Sequence, residues 1–269
     1  MAFRFEPGEP VAAETRRILV ERLGAAIEHL AEPDVHEARK RLKEARALLR
    51  LVAPALGGGA RAEVMALRDA ARQLSAARDA EALVEAFEKI QAGIDPALRR
   101  RVRRRLPKPV GIDVAPVISA LSASLDRIRG WLLVDGGLEL IEDGLIRTYG
   151  QGRRASRAAA KDPSPEQLHE LRKRVKDAWY HHELLESVWP PVVKGYEKAL
   201  KEASDQLGLH HDLDLLREQC ANEPEVVAVI DQQRDQLRRD AFAVTARLYA
   251  ERRREARKRW KGWLGGMDR

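Results

Sequence analysis

Along the first half of the chain, apolar residues return every three or four positions and are interrupted at short intervals by proline or glycine. That spacing predicts helices over 10–31, 34–53, 60–77, 80–92, 96–106 and 114–134, because a 3.6-residue period lays such positions on one helical face. The breaks fall at Pro33, at Pro54 with Gly57, Gly58 and Gly59, at Gly93 with Pro96, and in "LPKPVGIDVAP". Further on, "DPSPEQLHELRK" carries a helix start. Ser164 can cap, Pro165 suits the first helical position, and Gln167 stands three residues after the serine. No stretch alternates apolar and polar residues with the β-branched content of a strand. The pattern predicts an all-α protein.

The same dense segment is written twice. Residues 36–46 read "HEARKRLKEAR" and residues 169–179 read "HELRKRVKDAW", with seven of eleven positions identical. The two lie 133 residues apart, and twice that separation nearly spans the 269-residue chain. The register holds elsewhere: "LSAARDAEALVEAF" from Leu74 falls on "LGLHHDLDLLREQC" from Leu207, so that Asp79 meets Asp212, Glu81 meets Asp214 and Leu83 meets Leu216. A repeat of this period fixes the architecture before any single residue does. The expectation is one domain over 1–269, made of two helical repeats at 1–136 and 137–269. These would form two antiparallel bundles related by a pseudo-twofold.

Within the first copy, His36, Arg39, Lys43, Arg46 and Arg50 fall inside an arc of roughly 80° on a helical wheel, with Lys40 at its edge. Ala38, Leu42, Ala45, Leu49 and Val52 form a separate apolar stripe that must face the core. His169, Arg172 and Lys176 repeat the cationic face in the second copy, with Lys173 at the edge and Trp179 and Tyr180 beyond. Glu183 stands where the first copy has Arg50. A ladder of like charges costs about 0.2–0.5 kcal/mol per i,i+4 pair. Its recurrence at kept spacing therefore points to a bound anion rather than to a solvated face. Arginine offers phosphate a bidentate fork, lysine a mobile charge, and histidine a donor that gains charge beside a polyanion.

Composition narrows the partner and the compartment. The 49 Lys and Arg exceed the 42 Asp and Glu, giving +7, which favours nucleic acid, phosphate polymer or anionic lipid. A single cysteine excludes an internal disulfide and fits a reducing cytoplasm. The N-terminus lacks an apolar core of signal-peptide length, and no apolar run is long enough to span a bilayer. No membrane role is expected.

On "VHEARKRLKEAR" and "LHELRKRVKDAWYHHELL", with "RDAEAL" and "HDLDLL" after small-residue turns, the chain resembles the CHAD family, the conserved histidine α-helical domain. The resemblance spans essentially the whole chain. It implies two four-helix-bundle-like halves around a basic central groove, binding inorganic polyphosphate without catalysis or cofactor. Residue by residue it points to His36, Arg39, Lys43 and Arg46, then His169, Arg172, Lys176 and Tyr180. The wheel adds Lys40, Arg50 and Lys173, and the preceding helix adds Arg153, Arg154 and Arg157. The family pattern carries a further basic residue where this chain has Glu44 and Asp177. Nothing resembles the Glu-x-Glu-x-Lys strand of the triphosphate-tunnel domain that often accompanies the family, so a stand-alone member is expected. Its expected place is the cytoplasm, associated with polyphosphate granules.

Two rivals come from other segments. His211-Asp212, with His181 and His182, suggests a metal-dependent HD-type phosphohydrolase. The first-half equivalent is Arg78-Asp79, without an imidazole, and paired carboxylates with HExxH or ExxH spacing are absent. No metal is expected. The runs at 99–106 and 251–263 suggest nucleic acid, yet aromatic residues are only 5%, too few for stacking single-stranded bases.

Overall fold

The structure is a computed structural model. It describes residues 3–32, 34–108, 111–132 and 139–265, without the side chains of 76–79 and 139. Eleven α-helices appear among the described residues, and no strand. The first six are α1 (Val11–Ala31), α2 (Val35–Leu56), α3 (Gly58–Gln73), α4 (Ser75–Ile90), α5 (Pro96–Arg105) and α6 (Ala115–Arg129). They are followed by α7 (Glu139–Lys161), α8 (Pro165–Leu184), α9 (Pro190–Gln219), α10 (Pro224–Leu248) and α11 (Arg253–Leu264). The all-α expectation holds. The expected boundary at 136/137 lies outside the described residues.

Local chemistry accounts for the helix starts. Asp34 caps α2 by accepting from the Glu37 N–H at 3.1 Å, and Ser164 caps α8 by accepting from Gln167 N–H at 3.4 Å. Two boundaries differ from expectation. The break expected near 77–80 lies at Leu74, which is fully buried. The stop expected at Pro54 does not occur, and α2 runs three residues further than predicted, to Leu56. Proline lacks the N–H that would bond the carbonyl four residues back, here Arg50. Arg147 of α7 supplies the missing donor, its Nη2 lying 2.9 Å from the Arg50 oxygen.

α1, α2, α3 and α6 pack around one core, which residues of α7, α8 and α11 also enter, and α7, α8, α9 and α10 pack around another. A third cluster joins α4 and α5 to the C-terminal part of α9 and to α10. Shifted by the separation of His36 and His169, α1 falls on α7, α2 on α8, and α3 with α4 on the single long α9. The halves meet where α2 passes α7 and α8. Gly144 makes the first passage possible: a Cβ there would stand 1.8 Å from the Leu51 oxygen. At the second, His181 donates its Nε2–H to the Ala47 carbonyl at 2.9 Å.

Candidate polyanion site

The repeated segment splits into two faces with different work. On one, Arg41 joins Glu37 (3.0 Å) and Glu44 (3.1 Å); at the matching positions Arg174 joins Glu170 (2.7 Å) and Asp177 (3.7 Å). Glu44 and Asp177, where the family pattern has cations, are 2% and 8% exposed. Glu44 also receives Arg22 at 3.3 Å, and Asp177 receives Arg50 at 2.6 Å across the α2–α8 passage. Lys40 and Lys173 sit at the rim, tied to Glu37 and Glu170.

The other face gathers cations from both helices. Arg39 donates from Nη1 to the Ala71 carbonyl at 2.9 Å. Arg172 lies against α9 where Gly208 leaves room, a Cβ there standing 3.8 Å from its Nε and Nη2. Burial pushes the Lys176 amine down to about 8; Arg172 and Arg39 lower it further, against Asp205 and Asp212. Arg46 is pushed down to about 10, first by burial and then by Arg50, Arg68 and Arg39, with Asp177 opposing. Its buried Nε has no hydrogen-bond partner. Packing like charges together out of water costs free energy that an anion can recover.

The histidines divide. His36 is exposed at the start of α2. His169 stands 5.7 Å, ring to ring, from His211, and both are held below the usual imidazole range by burial and then chiefly by neighbouring cations. His181 and His182 serve the fold: burial drives each down to about 4, and each donates to a backbone carbonyl. His210 pairs with Asp214 at 3.3 Å. Among the described residues, no group of three His, Cys, Asp or Glu could hold a metal ion. The Arg78 and Asp79 side chains lie outside the described residues.

Two sequence expectations are corrected. Tyr180 is 4% exposed, stacked on Trp179 and edge-on to Phe3. It is shut in because the N-terminal segment crosses it, with Phe5 N–H donating to Leu184 O at 3.0 Å and Ser187 Oγ donating to Phe5 O at 3.0 Å. It offers an anion nothing. Arg154 shares a surface hollow with Gln151, Glu170 and Arg174. Arg174 lies about 160° around α8 from Arg172 and Lys176. Arg153 stands beside Tyr149, and Arg157 is exposed. On α7 it is Arg147 that meets α2, held low by burial and by Arg61, Arg174 and Arg50. Arg61, Arg68 and Arg147 were missed because they lie on α3 and α7, outside the repeated segment. Their only sequence signal was Pro54, which needs a donor from elsewhere.

Elsewhere the basic runs are surface faces. In α5, Arg101 and Arg105 pair with Glu223, and Arg103 with Glu88. In α11, Arg257 pairs with Glu142 and Asp143, while Arg259 pairs with Glu251 and lies over the Trp263 ring. No helix among the described residues is long and apolar enough to cross a membrane.

The described residues thus define an all-helical protein in which α2 and α8 carry cations on the faces away from their acid-paired arginines. The chain belongs to the CHAD domain family, whose model matches residues 11–221. It is similar to the crystal structure of the CHAD domain from the plant Ricinus communis. The identity is 19% and the TM-score 0.59, covering 94% of this chain and 96% of that one.

Proposed function

We propose that this chain binds inorganic polyphosphate, without catalysis, in a groove between α2 and α8. Its walls are Arg39, Lys43 and Arg46 on one side and Arg172 and Lys176 on the other, with His36 and His169 at the two mouths. Arg46 carries the reading. A half-buried guanidinium surrounded by Arg39, Arg50 and Arg68, with an unanswered Nε–H, suits a multivalent anion better than an empty groove. Membership of a family associated with polyphosphate binding supports it. The halves 1–136 and 137–269 are read as two copies of one unit that each supply a wall. The protein is placed in the cytoplasm, with polyphosphate granules as its point of association.

The test is titration with polyphosphate, single-stranded DNA and RNA at matched phosphate concentration across a salt series. Polyphosphate should bind tightest, with an affinity that falls steeply as salt rises, since each neutralised phosphate releases condensed counterions. Arg39→Ala with Lys43→Ala, and separately Arg172→Ala with Lys176→Ala, should each weaken long chains. Preference for nucleic acid, a salt-insensitive affinity, or dependence on one pair alone refutes the shared groove. Metal-dependent release of orthophosphate, lost in Asp212→Ala, favours the hydrolase instead.

A further inference from the structure

The two ends of the α2–α8 passage are not alike. On one side four guanidinium groups from four helices converge: Arg50 of α2, Arg61 of α3, Arg147 of α7 and Arg174 of α8. Arg147 is anchored on the Arg50 carbonyl at 2.9 Å and lies near enough to Arg61, Arg174 and Arg50 that each disfavours its charge. The cluster meets two carboxylates, Asp177 at 2.6 Å from Arg50 and 3.7 Å from Arg174, and Glu170 at 2.7 Å from Arg174. Two donors stay unused. The buried Arg147 Nε has no hydrogen-bond partner, and the Arg61 side chain makes no ion pair or hydrogen bond among the described residues. Arg46 and Arg50 stand one turn apart on α2, and each lies close enough to the other for Arg50 to disfavour the charge of Arg46.

The side related by the 133-residue shift keeps one of the four arginines, Arg41 at the position of Arg174, paired with Glu37 and Glu44. Glu183 stands at the position of Arg50, Glu14 at that of Arg147, and Lys194 at that of Arg61. Glu183 is half-buried near Glu44 and Glu197, Glu14 is tied to Arg17 at 2.5 Å, and Lys194 to Glu186 at 3.0 Å. A polyanion leaving that way would meet Glu183 and Glu197 and cations already engaged by carboxylates, Arg17 by Glu14, Arg22 and Arg41 by Glu44, and Lys194 by Glu186. Like-charge approach in a partly buried site is costly.

We infer that a bound polyphosphate chain leaves the groove in one direction only, past Arg46 and over the Arg50–Arg61–Arg147–Arg174 cluster, which forms a second binding segment. This inference rests on the proposed function. It adds a polarity that a symmetric groove would lack, and it makes chain length matter, since a short chain fills the groove before it reaches the cluster.

Arg61→Glu tests it, because Arg61 is exposed and its side chain holds nothing in the fold. Lys194→Glu changes net charge by the same amount on the opposite side. Long-chain polyphosphate and tripolyphosphate are titrated into the full chain and both variants, with circular dichroism to confirm folding. Arg61→Glu should weaken the long chain at least fivefold and lower its salt slope by about one. Its tripolyphosphate affinity should stay within twofold, and Lys194→Glu should change neither ligand by more than twofold. Equal losses in the two variants, or an equal loss for both ligands, means a diffuse field rather than a segment and overturns the inference. If Arg61→Glu is silent while Arg39→Ala with Lys43→Ala still weakens binding, the groove stands and the one-way exit falls. If wild-type protein fails to bind polyphosphate, the proposed function falls with it.

Discussion

Lys176 gives the proposed groove a measurable protonic signature. Its amine is held at about 8 in the ligand-free protein, chiefly by burial and then by Arg172, against an ordinary 10.5. That depression of 2.5 is worth about 3 kcal/mol. A polyanion beside the amine favours its charged form and moves the value back up. Binding should therefore take up protons, about half of one at pH 8 and close to one at pH 9, and affinity should fall as pH rises from 8 toward 10.5. Full restoration sets a ceiling of about 300-fold on that loss. The assay is calorimetric titration at pH 9 in buffers of different ionisation enthalpy, where the dependence of observed heat on buffer gives the protons taken up. Lys176→Met should abolish most of the uptake, leaving a small share from Arg46, which is held at about 10. Zero uptake in the wild type, or the same uptake in Lys176→Met, would refute the placement of Lys176 against bound phosphate.

The same shift has a stability counterpart with a definite sign. Because the folded-state value lies below the unfolded one, the unfolded chain holds more protons between about pH 8 and 10.5. Stability of the ligand-free protein should therefore rise with pH across that window and sit at its lower level below it. Lys176→Met should remove this rise and stabilise the free protein at pH 7 by up to about 3 kcal/mol, while weakening polyphosphate binding. A residue retained at a stability cost and needed for binding is what a ligand contact looks like.

Other perturbations address the frame of the site. Gly144→Ala should destabilise the fold by about 3 kcal/mol or more by urea denaturation, because its Cβ would meet the Leu51 backbone rather than a movable side chain. Pro54→Ala returns a backbone donor to the Arg50 carbonyl and frees Arg147 from it; folding should be kept while long-chain binding changes, and unchanged binding would make Arg147 purely structural. Glu183 is raised to about 7, first by burial and then by Glu44 and Glu197. Its folded value lies above its unfolded one, so stability should fall as pH rises from about 4.5 to 7, and Glu183→Gln should flatten that fall in thermal melts. His169→Gln should reduce the tightening of polyphosphate binding below about pH 6.5, because bound phosphate favours an imidazolium that burial and Lys173 now oppose.

Most helices were legible because proline, glycine and a 3.6-residue period mark them directly. The wheel also sorted Arg39 and Lys43 from Leu42 and Leu49 correctly. It failed wherever a second element decides what a face meets. Tyr180 shares the angular sector of Lys176, yet Phe3 from the chain's start covers it. Pro54 read as a stop because its own helix cannot satisfy Arg50, and nothing local announces that Arg147 will do so from 93 residues further along the chain. Convergence of cations from separate helices is a tertiary property, invisible to a reading taken one helix at a time.

The acids inside the basic segment resolve why so cationic a motif folds at all. Glu37 with Glu44, and Glu170 with Asp177, each bracket one arginine at helical spacing, so Arg41 and Arg174 each meet two carboxylates of their own helix. Such pairs contribute only about 0.3–0.5 kcal/mol each when exposed. Buried Glu44 and Asp177 matter differently, since removing either leaves a guanidinium short of its counter-charge. On the other face Lys176 has Asp205 and Asp212 of α9 beside it, and Arg39 donates to the Ala71 carbonyl of α3. The repeated segment thus carries two faces: a self-paired one that lets each helix fold, and one whose cations the proposed function turns to a bound anion.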